Sequence, residues 1–224
     1  SVKNLIRKIV LSKTYRQSSL LNPSCDKEKV SFADPQNIFL HKMPIRRLQA
    51  EAIRDSILSF SGRIDRKLFG PSIPIYKTAF MTGRGGKKNG PLDGAGRRSI
   101  YGSVYRNFLS PFMLAFDQPA PFGTKGKRSV SNVPAQSLAL MNDPFVISQC
   151  KMMGENVFQA KKLKSESMGN LFEMITGKPP SQAAQEKLLA FLETQTKFHG
   201  SLTKEVWADL AHVLINSKGF LFLN

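Results

Sequence analysis

Acidic residues are scarce in this chain, as are cysteine, histidine and long apolar runs, and each shortage closes off a class of function. Sixteen acidic residues stand against 33 basic ones among 224, a net charge of +17. An excess of that size favours polyanions, acidic protein surfaces or anionic membranes as partners. The plainer explanation is an acidic companion domain. Cys25 and Cys150 are the two cysteines, in neither C-x-x-C nor C-x-x-C-H spacing, so zinc ribbons, thioredoxin chemistry and covalent haem lack support. One disulfide stays open, with two idle thiols favoured. His41, His199 and His212 have no His-x-x-x-His spacing, and the sequence shows no metal-ligand pattern. The G-x-S-x-G elbow of serine hydrolases is missing too. No apolar run reaches the roughly 20 residues that span a bilayer, and no signal-peptide pattern is visible. The chain starts at Ser1 rather than Met, inside a helical pattern, as expected of a piece of a longer or processed protein.

What is present is a globular composition, 41% hydrophobic and 9% aromatic, in a chain long enough to bury a sizeable core. The charge is uneven: residues 1–62 carry 11 basic and 5 acidic side chains, 63–128 carry 13 and 3, and 129–224 carry 9 and 8. The middle third is the electrostatic pole. We expect a single, mainly α domain over 1–224, an irregular helical architecture with a basic, loop-rich or small β insertion at 62–128 and a helical remainder.

Helical periodicity places a first amphipathic helix from Val2 to about Ser12 or Tyr15. The Ser-, Asn-, Asp- and Pro-rich stretch from Gln17 to Gln36 reads as an exposed connection. A central helix is predicted from Pro44 to Phe60, with Ile45, Leu48, Ala52, Ile53, Ile57 and Phe60 inward and Gly62 as its stop. Ile75–Met81 and Ser99–Val104 suit short strands, which a small hairpin would pair. Pro111, Pro119 and Pro121 confine a helix around Phe112 to a turn or two, leaving Phe108, Phe112, Phe116 and Phe122 as packing anchors. Helix starts follow at Pro134, at Asp143 with Pro144, at Ser181 and at Ser201 or Thr203, with a short helix around Leu171 between them.

Two constellations carry the candidate chemistry. Arg47, Glu51, Arg54 and Asp55 share the polar side of the central helix, where both guanidinium groups can reach one carboxylate. With Asp117 they form an expected structural polar cluster rather than catalytic carboxylates, because arginines within reach hold carboxylates ionised. No catalytic residue is assigned. The second set is Arg84, Lys87, Lys88, Arg97, Arg98, Arg106, Lys125, Lys127 and Arg128, interleaved with Tyr101 and Tyr105, the footprint of a polyanion site. Within it GRGGKKNG (83–90) lacks the spacing of a phosphate loop and reads as a basic surface loop. The division expected is that internal carboxylates neutralise internal arginines and leave the loop cations outward.

Several spaced phrases carry a further signal: SVKNLIRKIVLSKTYRQSS, DPQNIFLHKMPIRRLQAEAIRDSILSFSG, RRSIYGSVYRN, FDQP, VPAQSLALMNDPFV and WADLAHVLINSKGFLF. In this order they resemble the planctomycete domain of unknown function 1553. Among the residues that match its polar pattern are Asp34, Asn37, Arg47, Glu51, Arg54, Asp55, Arg98, Tyr101, Arg106, Asp117 and Gln136. His41, Lys42, Ile45, Lys178 and Gly219 depart from it. The resemblance implies an extracytoplasmic parent protein, periplasmic or at the cell surface, with upstream domains as partners. It implies no cofactor in this chain, with haem in a separate upstream domain. The expected function is a non-catalytic structural or binding module docking an anionic polysaccharide or an acidic neighbouring domain. The alternatives are an accessory or catalytic half-site of a larger enzyme or redox protein, and nucleic-acid binding.

Overall fold

A computed structural model describes residues 1–78, 81 and 89–223. Among these are ten α-helices and one two-stranded antiparallel sheet, so the protein is mainly α as the sequence predicts. The chain forms two compact units, one of residues 1–47 with 222–224 and the other of residues 48–221.

In the smaller unit, α1 (Val2–Leu11) ends where the Ser12 hydroxyl and backbone N–H both donate to the Ile9 carbonyl. The stretch read as a connection contains α2 (Lys27–Ala33), which Asp26 caps by accepting from the N–H groups of Glu28 and Lys29. That cap gives a seven-residue helix its start where composition alone suggests turns. Arg46–Arg47 (β1) pairs antiparallel with Phe222–Leu223 (β2), in the register Arg46 to Leu223 and Arg47 to Phe222.

The larger unit holds the buried apolar residues, from Ala50 to Phe220. Its first helix, α3 (Ala50–Phe60), is shorter than predicted, because Arg46 and Arg47 are engaged in β1 and Gln49 is extended. Ile53 and Ile57 are inward as expected, Leu58 joins them, and Ile45 and Ala52 are exposed. Gly62 follows the helix at φ +74, the left-handed conformation that suits glycine at a helix stop.

Neither predicted strand forms among the described residues. Ser99–Tyr101 is a 3-10 turn, and one parallel bridge joins Gly102 to Ile73, which lies before the first predicted strand. Pro71 has no N–H to continue the ladder in one direction, and in the other the Ile75 carbonyl already accepts from the Gly90 N–H at 2.9 Å. Residues 79, 80 and 82–88, which include part of that strand and Arg84, Lys87 and Lys88, lie outside the described residues.

The later helices are α4 (Pro111–Ala115), α5 (Pro134–Asn142), α6 (Pro144–Gln159), α7 (Lys164–Thr176), α8 (Gln182–His199), α9 (Lys204–Ile215) and the short α10 (Lys218–Leu221). Prolines or capping residues mark the starts of α4, α5, α6 and α8, whereas α7 starts after Leu163 without a side-chain cap and, at 13 residues, is longer than the short helix predicted around Leu171. Asp143 caps α6 and Ser181 caps α8 through their side chains. Phe108, Phe112 and Phe116 are buried anchors, whereas Phe122 is 67% exposed and anchors nothing. Its neighbours Pro119, Pro121 and Gly123 keep it in loop.

α6 and α9 form the principal helix pair of this unit. Val146, Cys150 and Met153 on one and Val206, Trp207, Leu210, Ala211 and Leu214 on the other join the same core. Gly154 brings the two backbones close, since a Cβ there would meet the Lys204 carbonyl and lie 2.6 Å from the Ala208 nitrogen. Lys204 and Glu155 pair at 2.9 Å beside it.

Candidate functional site

α3 holds the irregular segment 93–99 by its polar side. Arg54 donates from Nη2 to the Asp93 carbonyl (2.8 Å) and from Nη1 to the Arg97 carbonyl (3.0 Å) and Ser99 Oγ (3.1 Å). Asp55 Oδ1 accepts from the N–H and the hydroxyl of Ser99, both at 2.7 Å. Arg63 closes the other end on Asp93 at 2.6 Å. Two 3-10 turns, Gly94–Gly96 and Ser99–Tyr101, are held in place by these bonds.

Glu51 is the partner of Arg128, whereas helical spacing offers it Arg47 and Arg54. The two form a bidentate pair at 2.7 and 2.9 Å across 77 residues of sequence. The hydrogen bonds from Arg128 hold the Glu51 carboxyl below its usual range. Asp117 accepts from the N–H and hydroxyl of Ser131 at 2.8 Å each. Arg47 belongs to β1 in the smaller unit.

Glu51 with Arg128, and Arg54 and Asp55 with Ser99, line a cleft of about 670 Å³ in the larger unit, and Asp117 and Arg47 lie outside its lining. Glu51, Arg54, Asp55, Arg97, Arg98 and Arg128 supply its polar side, and Tyr76, Tyr105, Phe108 and Ile100 its apolar side. Asp143 also reaches it, and burial pushes its carboxyl up despite the N–H groups of Phe145 and Val146 that it accepts. The cleft arginines differ in how they are occupied. Arg97 is buried, donates to the carbonyls of Lys67 (2.9 Å) and Phe69 (2.6 Å), lies 3.6 Å from Asp65 and stacks 4.1 Å over Tyr101. Arg54 and Arg128 have Asp55 and Glu51. Arg98 lies 5.7 Å over the Tyr101 ring, forms no ion pair among the described residues, and has a buried Nε with no hydrogen-bond partner. The Tyr101 hydroxyl accepts from the Phe69 N–H at 3.0 Å, and that bond, with Arg98 and Arg97 alongside, holds the phenol below its usual range.

Of the nine basic candidates, the cleft therefore gathers Arg97, Arg98 and Arg128. Arg106, Lys125 and Lys127 are exposed outside its lining. Sequence reasoning missed Ser99 and Asp93 as partners of Arg54, Asp55 and Arg63, Ser131 as the partner of Asp117, and Asp143 as a lining residue of the cleft. Only Asp143 had a signal, its place before Pro144 as a helix cap.

The histidines are also engaged. His199 Nε2 meets Asp209 at 3.0 Å and His212 Nε2 the Leu140 carbonyl at 2.9 Å. In the smaller unit His41 Nδ1 lies 3.2 Å from Asp34, whose carboxylate also accepts the N–H groups of Ile38 (2.7 Å) and Phe39 (2.9 Å). Burial opposes the ionised Asp34, but those two N–H groups and His41 outweigh it and hold the carboxyl below its usual range. No group of three or more His, Cys, Asp or Glu side chains suited to a metal ion occurs among the described residues. Both cysteines are free, Cys25 exposed and Cys150 buried. Among the described residues no helix is long and apolar enough to cross a membrane.

A family model described as Protein of unknown function (DUF1553) matches residues 1–192. Neither curated proteins nor solved structures gave a match.

Proposed function

From the premise that the chain belongs to the DUF1553 family, we propose that it is a non-catalytic binding module of an extracytoplasmic protein, whose basic cleft docks an anionic glycan. The supporting observation is Arg98: alone among the cleft arginines it lacks a carboxylate among the described residues, and its Nε has no partner. A buried donor left unmade costs free energy, about 1–3 kcal/mol, and an anion in the cleft that draws the Arg98 fork toward itself would offset that cost. A sugar carboxylate supplies that acceptor and charge together, because guanidinium and carboxylate planes match in bidentate fashion. Tyr76 and Tyr105, which also line the cleft, offer rings to the apolar faces of a sugar chain. Lys125, Lys127 and Arg106 extend the positive field beyond the cleft.

The extracytoplasmic setting, the upstream partner domains and a haem carried on one of them belong to the same proposal and rest on the spaced family phrases. An acidic neighbouring domain is the competing occupant of this cleft. Catalysis as an accessory half-site draws on Asp143, raised by burial in the same cleft as ionised Glu51. It is the weaker reading, because Asp143 caps α6 and Glu51 is held by Arg128 at both oxygens.

The test is binding of the full chain to polygalacturonate, with neutral dextran as control. Affinity should fall steeply between about 50 and 200 mM salt, as counterion release requires. Arg98→Gln should lower it about tenfold, one lost charge-assisted pair. Equal affinity for dextran, or a salt-independent affinity for polygalacturonate, would overturn the proposal.

A further inference from the structure

The smaller unit carries a surface that the cleft does not use. Val2, Leu5, Ile6, Ile9 and Val10 share one side of α1 at about 100° per residue, and all five are exposed, Val2 by 74%. None of the ten residues of α1 is buried. Lys3 and Lys8 fall on the two borders of that stripe, Arg7 lies behind it, and Lys13 and Arg16 follow the helix. No acidic residue lies between Ser1 and Cys25, and residues 1–47 carry ten basic side chains against three acidic.

An aliphatic stripe of this kind is a contact surface awaiting a cover. Its rim decides which cover fits. Lysine is depleted in protein interfaces relative to the rest of the surface, yet here it borders the stripe on both sides with no acid to alternate with it. A second copy of this chain would bring the same sign of charge to the contact and be repelled. The matching surface is apolar within and uniformly negative above, which describes the boundary between acyl chains and anionic headgroups. Lysine stems on the borders can lie along the apolar layer while their ammonium groups reach phosphate. Lys3, Arg7 and Lys8 interrupt the aliphatic residues within these turns, a charged face that suits the interface plane rather than the hydrocarbon core.

We propose that α1 is an in-plane membrane contact that seats the chain on anionic phospholipid. Sedimentation of the full chain with vesicles of phosphatidylcholine containing one quarter phosphatidylglycerol tests it against vesicles of phosphatidylcholine alone. The chain should partition to the anionic vesicles only, and less so as salt rises. The double variant Ile6→Glu, Ile9→Glu should lower that partition at least about tenfold. Its circular dichroism should be unchanged, since neither side chain is buried. Arg98→Gln should leave partition intact, which separates this contact from the glycan cleft. No sedimentation with anionic vesicles at about 50 mM salt, equal sedimentation with both vesicle types, or anionic binding that the double variant retains would overturn the proposal. A dimer in equilibrium ultracentrifugation that the double variant abolishes would assign the stripe to a second copy and overturn it as well.

Discussion

Arg54 and Arg98 both face the cleft, yet their surroundings give them opposite roles. Arg54 satisfies two carbonyls and a hydroxyl of segment 93–99, with Asp55 3.4 Å away. Arg54→Ala would leave those acceptors unmade and should cost about 3 kcal/mol in urea unfolding, while Arg54→Lys, which lacks the planar fork, recovers only part. Glu51 offers a pH test. Its folded carboxyl lies below the ordinary value, so the stability it contributes is present above about pH 4.3 and is lost as pH falls through the lower folded value. The partly exposed pair is worth about 0.5–1 kcal/mol. Glu51→Gln should therefore be less stable than the parent by that amount at pH 7 and equal to it near pH 2, measured by thermal unfolding at both. Burial pushes the Cys150 thiol up to about 12. A thiol reagent should label Cys25 in the native chain and Cys150 only after denaturation.

At the scale of elements, α6 and α9 depend on the missing side chain of Gly154. Alanine would favour an isolated helix by roughly 0.5–1 kcal/mol, but its Cβ would press on the backbone of Lys204 and Ala208 rather than on a flexible side chain. Overpacking prevails, and Gly154→Ala should destabilise by about 1–3 kcal/mol in chemical denaturation.

The start of α6 was legible from Asp143 and Pro144, and that of α8 from Ser181, because a cap is a local event written in adjacent residues. The helix α2 escaped because a polar, short segment with Pro23 before it has no apolar period to reveal it, although Asp26 was its signal. The start of α3 was misplaced for a different reason: Arg46 and Arg47 are drawn into a strand by Phe222 and Leu223, at the other end of the chain. The same distance hid the site. Residue spacing on α3 pointed Glu51 at Arg47 and Arg54, and nothing local says that Arg128 reaches it first. That Arg97 is buried was equally illegible, since its acceptors are backbone carbonyls that every residue carries.

For the whole molecule, burial and charge are unequally divided. The apolar core lies within residues 50–220, and in the smaller unit the buried residue among those described is the polar Asp34. Amide hydrogens of α1 should therefore exchange orders of magnitude faster than those of α6 and α9, which hydrogen-exchange mass spectrometry reads directly. In the larger unit, Glu51, Asp55 and Asp65 each lie beside an arginine, while Arg98 has a donor to offer. That imbalance inside the cleft is the basis of the anion-docking account. Its most direct test follows the Nε–Hε resonances of the arginines by NMR while trigalacturonate is added to the folded chain. The account predicts a saturating shift of the Arg98 resonance with those of Arg54 and Arg97 unmoved. An Arg98 resonance that stays in place while ligand binds would contradict it.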